Sequence, residues 1–203
     1  MKMNSKSKMK RVLLTVCGLL AVAAISVGAT IAYLTDSAVA NNTFTVGHVN
    51  ITLDEQDTDD SSGGKRDHKN EYHLIPGETY VKDPTIHVTE DSEDCWLFAK
   101  VENGIAKIEA QTEQTEDGYK NIADQITANG WTLLEGVDNV YYKSHAKADD
   151  PDVAIFESFK ISGNVKGKDL SDYKNENITI TGYAVQKAGF DTATAAWEET
   201  FGK

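Results

Sequence analysis

Asn177-Ile178-Thr179-Ile180-Thr181-Gly182-Tyr183-Ala184-Val185-Gln186 alternates with a period of two. Ile178, Ile180, Gly182 and Ala184 fall on one side, and Thr179, Thr181, Tyr183 and Val185 on the other. Successive side chains of a strand point to opposite faces, so this run predicts a strand with two distinct surfaces. Working outward, Cys95 to Glu102 is dense enough in apolar groups to be a strand buried on both faces. Thr85 to Thr89 predicts another, with Ile86 and Val88 on one face. Trp131 to Leu134 and Val140 to Lys143 predict a hairpin around Glu135-Gly136-Val137-Asp138-Asn139. Phe156 to Ile161 and Ile105 to Glu109 add two more strands. Phe44 and Val46 alternate in one phase, and Val49, Ile51 and Leu53 in the other. The slip at Gly47-His48 predicts a bulge. Pro76-Gly77 suits a type II turn.

Two short helices complete the reading. Ile122 to Asn129 carries an apolar face of Ile122, Ala123 and Ile126, with Asn129-Gly130 as its stop. Thr192 to Glu199 holds Ala195, Ala196 and Trp197, with Asp191 as the expected cap. Short strands at fairly even spacing, with few helices and no fixed repeat, predict an all-β chain built as an antiparallel β-sandwich.

The N-terminus is chemically separate. Lys2, Lys6, Lys8, Lys10 and Arg11 precede the first acid, Asp36. Val12 to Ala32 is free of charge and ends in small residues. Thr30 and Ala32 place small side chains at the −3 and −1 positions of a signal-peptidase site, so cleavage is expected between Ala32 and Tyr33. The run is also long enough to act as an uncleaved anchor. A leader over 1–32 and a single β-sandwich domain over 33–203 follow, as does a secreted location. Contact with the membrane is expected only through the uncut leader.

Removing those five cations from the chain total of −12 leaves −17 for residues 33–203. Nucleic-acid binding requires clustered Lys and Arg, so that function is excluded as an expectation. Cys17 lies in the leader, which leaves Cys95 alone in a strand-like run, where a buried inert thiol is expected.

Residues 54–71 read as a mobile acidic loop without a packing face. Asp54, Glu55, Asp57, Asp59 and Asp60 offer hard oxygen ligands for a weak calcium site, although EF-hand spacing is absent. The competing reading is a solvated charge run, and no other cofactor is expected. Trp131, Tyr141 and Tyr142 could line a sugar platform, against simple core packing.

The stretch Ala29-Thr30-Ile31-Ala32-Tyr33-Leu34-Thr35-Asp36, followed by Asn42-Thr43-Phe44-Thr45-Val46-Gly47-His48-Val49-Asn50-Ile51-Thr52-Leu53, resembles the TasA/camelysin family of Gram-positive bacteria. Leu74-Ile75-Pro76-Gly77-Glu78 is similar to that family's Pro-Gly-acid turn. The tail Ile178 to Gln186, Gly189-Phe190 and Ala195-Ala196-Trp197 is similar to clostridial relatives. The resemblance implies a jelly-roll-like sandwich, a SipW-type signal peptidase as processing partner, and assembly into fibres of a biofilm matrix or cell-surface layer. The acidic loop and a shorter C-terminal part depart from the family pattern.

Assembly by strand addition would use the arm released by cleavage, with Phe44 and Val46 as anchors. Its mate would be a second copy or a related matrix protein. The alternative is a monomeric extracellular module for calcium or polysaccharide. Camelysin's description as a metalloprotease raises a third option. The His-Glu-x-x-His motif is absent, and His48, His68, His73, His87 and His145 read as solvated or strand-face residues. No catalytic residue is expected.

Overall fold

The computed structural model describes residues 35–39, 42–44, 49–58, 65–114 and 117–202, with the backbone alone for 35–39 and 42–44. The chain divides into units 1–33 and 34–203, and every described residue belongs to the second. That unit is mainly β, with antiparallel sheets and two helices. Its strands are β1 (Thr35–Val39), β2 (Asn42–Phe44), β3 (Ile51–Gln56), β4 (Arg66–Asp67), β5 (Thr79–Val81), β6 (Thr85–Val88) and β7 (Cys95–Asn103). Helix α1 (Ile122–Ala128) precedes β8 (Thr132–Leu133), β9 (Val140–His145), β10 (Asp152–Ala154), β11 (Ser158–Lys160) and β12 (Ile178–Gln186). Helix α2 (Ala193–Phe201) follows.

The largest sheet runs β2-β1-β12-β7-β9-β8, and a second runs β10-β6-β3-β4; β11 pairs with β5. The centre of the large sheet is the long pairing of β12 with β7, from Ile178 opposite Asn103 to Gln186 opposite Cys95. Opposed residues share a face. Leu97 with Ala184, and Val101 with Ile180, therefore point together into a core shared with Ile51, Leu53, Ile86 and Val88 of the second sheet. The opposite face carries Phe98 beside Tyr183. Helix α2 covers that face with Trp197, whose ring lies 5.1 Å from Phe98 and 5.4 Å from Tyr183. The run Cys95 to Glu102 is accordingly buried on both sides at Leu97, Phe98 and Ala99, whereas Trp96 and Lys100 are partly buried and Glu102 is exposed.

Helix α1 starts where Asn121 accepts a bond from the Asp124 N–H at 2.9 Å, and stops before Gly130 at φ 82°. Its buried residues are Ile122 and Ile126, whereas Ala123 is exposed. The cap of α2 is Thr192, not Asp191: the Thr192 hydroxyl accepts from the Ala195 N–H at 3.2 Å. The expected turn forms at Ile75–Glu78, with Gly77 at φ 86° and Glu78 N–H bonded to the Ile75 carbonyl.

Two expectations are corrected. Residues 105–108 are turns, because Ile108 and Glu109 N–H groups bond back to the Ile105 carbonyl, and Glu109 alone makes a β-bridge, antiparallel to Ile161. The expected loop from Asp54 is strand up to Gln56, and β4 returns antiparallel to it with Glu55 opposite Asp67. Residues 59–64 lie outside the described part, as do the predicted cleavage pair Ala32 and Tyr33 and the predicted bulge at Gly47-His48. Among the described residues no helix is long and apolar enough to cross a membrane.

Candidate functional site

Strand β12 organises one end of the molecule. On one side it pairs with β7 along its whole length. On the other, β1 pairs with it from Thr35 opposite Val185 to Val39 opposite Thr181. The chain then turns back as β2, whose Asn42 opposes Val39. Ile178, Thr179 and Ile180 therefore have no strand partner on that side among the described residues.

A cavity of about 200 Å³ opens beside this free stretch, between it and Leu53 and Glu55 of β3. A larger groove of about 970 Å³ continues past Lys69, Asn177 and Ile178 towards Tyr72, Leu170 and Tyr173.

Of the carboxylates proposed for calcium, the described ones, Asp54, Glu55 and Asp57, do not form a metal-holding group. Asp54 and Glu55 are neighbours on a strand, so they face opposite ways. Glu55 is 5 % exposed and pairs with Lys82 Nζ at 2.5 Å. On the outer face, Arg66 Nε donates to Asp54, and Arg66 Nη1 donates to Asp83 at 2.8 Å. Asp57 follows the strand, and its N–H donates to the Lys65 carbonyl at 2.9 Å. Asp59 and Asp60 lie outside the described residues. No group of three His, Cys, Asp or Glu side chains among the described residues is arranged to hold a metal ion.

Sequence reading missed Lys82, Arg66 and Asp83, because their partners are 12 to 27 residues away. Opposite charges in the sequence were the only signal, and charge alone does not specify a partner.

Among the arm anchors, Phe44 sits in β2 and Val46 lies outside the described residues. The sugar-platform aromatics are dispersed. Trp131 is 1 % exposed and donates Nε1–H to the Ala154 carbonyl at 2.9 Å. Tyr141 packs on the core side of β9, whereas its neighbour Tyr142 meets Trp96 on the other face at 6.1 Å. Cys95 is fully buried, and burial, with Asp94 nearby, pushes its thiol up to about 12. The thiol is inert at neutral pH.

His87 ties three strands together. Its Nδ1 is 2.6 Å from Asp152 on β10, and its Nε2 is 2.9 Å from Asp54 on β3. A neutral imidazole has one N–H, so both contacts are donated only by the imidazolium. Burial works against that charge, but the bonds and charges of the two carboxylates outweigh it and raise the pKa above its ordinary 6.5. The tie is therefore complete below the unfolded value and is lost as pH rises through the higher folded value. The stability difference between parent and His87→Ala should shrink as pH rises above the ordinary histidine value of 6.5. Urea midpoints at each pH measure it, and a difference independent of pH overturns the assignment.

No family model, no curated protein and no solved structure matches this chain. The functional reading therefore rests on the chain's own residues, above all on β12 and its free edge.

Proposed function

We propose that this chain is a secreted structural protein of the cell surface or biofilm matrix, assembling by strand addition once its leader is cut. In this reading the two main sheets form a jelly-roll-like sandwich and a SipW-type signal peptidase cuts between Ala32 and Tyr33. The family resemblance supports that part.

One observation carries the assembly step. Strand β1 begins two residues beyond Tyr33 and is held to β12 by a five-residue antiparallel register. Backbone pairing of this kind is indifferent to whether the strand belongs to the same chain or a neighbour. Beyond β1, the side of Ile178 to Ile180 away from β7, which has no strand partner among the described residues, would supply further backbone for an incoming strand. Phe44 and Val46 are its proposed anchors.

Deleting residues 33–43 should give a folded monomer that forms no filaments by electron microscopy. Mixed in small amounts with intact protein, it should also cap growing ends, since it accepts a strand and donates none. Filaments grown from the truncated protein alone would reject the arm model. The second reading, a monomeric polysaccharide module, draws only on the large groove beside Tyr72 and Tyr173.

A further inference from the structure

The core-facing side of β3 changes character at its last inward position. Ile51 and Leu53 are apolar, and Glu55 follows them on the same side at 5 % exposure. Its Oε2 lies 2.5 Å from Nζ of Lys82, which is 7 % exposed. Directly opposite Glu55 across the β3–β4 pairing is Asp67, whose side chain therefore shares that face. All three residues line the small cavity, alongside Leu53, Pro84 and Ile180.

An ion pair is an expensive way to fill such a place. Each buried charge loses several kcal/mol of hydration, recovered only when further bonds satisfy the remaining donors and acceptors. Lys82 has three N–H donors, and Glu55 is its single side-chain partner among the described residues. Joining the two groups as an amide would remove both charges at once. An amine nitrogen held against a carboxyl group is the pair of functional groups needed for acyl substitution. Holding them in contact replaces a bimolecular encounter with an intramolecular one, which is worth effective concentrations on the order of 10⁵–10⁸ M.

We propose that Lys82 and Glu55 condense into an internal amide, with Asp67 as the general acid and base. The Nζ lone pair attacks Cδ of Glu55, and the new N–C bond forms as one C–O bond breaks. The departing oxygen leaves as water, taking the carboxyl proton and one amine proton relayed through Asp67. Oδ1 of Asp67 accepts from the Lys69 N–H at 3.1 Å, which leaves Oδ2 for the relay. No oxidant, reductant or second substrate is required. The bond joins β3 to the segment between β5 and β6, a cross-link in a domain where, among the described residues, Cys95 has no disulfide partner. It is independent of filament formation.

The test is mass spectrometry of the purified chain, with its N-terminus fixed by sequencing. The expected mass is one water below that of the sequence, with a digest fragment linking Glu55 to Lys82. Lys82→Arg keeps the charge pair and should restore the full mass in a folded protein. Asp67→Ala should leave the Glu55–Lys82 contact intact while restoring the full mass. A parent chain at full sequence mass overturns the proposal. A dehydrated Asp67→Ala chain overturns the role of Asp67.

Discussion

Replacing Trp131 with alanine is expected to destabilise the domain by about 3–5 kcal/mol. The indole is 1 % exposed and sits in the core cluster between α1 and the hairpin of β8 and β9. Truncation removes a large apolar surface and leaves a cavity that β-sheet walls close only in part. It also orphans the Ala154 carbonyl, which accepts the indole N–H at 2.9 Å. Native domains are stable by about 5–15 kcal/mol, so a large part of the total is at stake. Urea denaturation measures the change. Trp131→Phe should recover much of the packing and leave the hydrogen-bond deficit. A Trp131→Ala loss below about 1 kcal/mol would contradict a core position.

Glu109→Ala is expected to cost about 2–4 kcal/mol by a different route. Glu109 is 6 % exposed, yet its carboxylate organises three segments. Oε1 accepts from the Ile122 N–H at 2.7 Å and the Tyr119 hydroxyl at 2.9 Å. Oε2 accepts from Asn103 Nδ2 at 2.9 Å. Ile122 is the first residue of α1, so Glu109 satisfies a helix donor that no intrahelical bond can reach. The Tyr119 hydroxyl in turn accepts from the Lys160 N–H at 3.0 Å, extending the network to β11. Alanine would leave the buried Ile122 N–H without this acceptor and would remove the carboxylate contact of Tyr119 and Asn103.

Burial raises the Glu109 pKa above its ordinary value, outweighing the three hydrogen bonds that favour ionisation. A raised folded pKa means that the group's contribution is complete below the unfolded value and declines as pH rises through the folded one. The Glu109→Ala penalty should therefore be larger near about pH 4 than at neutrality. Tyr119→Phe, which removes one donor and one acceptor, should cost about 1 kcal/mol. Parallel denaturation curves at the two pH values decide the sign.

Patterns local to one element were legible from sequence. The alternation over Ile178 to Gln186 specified both faces of β12, and the apolar density after Cys95 specified a strand covered twice at Leu97 to Ala99. The Asn129-Gly130 stop, the Pro76-Gly77 turn and the hairpin before Val140 all depend on neighbouring residues. Distant partners were not legible. Nothing near Glu55 announces Lys82, so an acidic run looked like a loop where a strand continues. Ile105 and Ile108 fit a strand or a turn equally well until their backbone bonds are known. His87 read as a strand-face residue without partners, because Asp54 and Asp152 come together only in the folded sheet. The sugar-platform alternative failed for a geometric reason: Tyr141 and Tyr142 are adjacent on a strand and cannot present one surface.

Helix α2 has a bearing on how copies could meet. The Phe98 and Tyr183 side of the large sheet is roofed by Trp197 and Phe201, with ring separations of 4.8 to 6.4 Å in that aromatic cluster. The reverse side is committed to the interior. Stacking of another molecule on the Phe98 and Tyr183 patch is thus blocked by the helix, and on the reverse side by the interior. Under the strand-addition proposal, the rim of the sheet at β12 is then the place for a second copy to join, end to end.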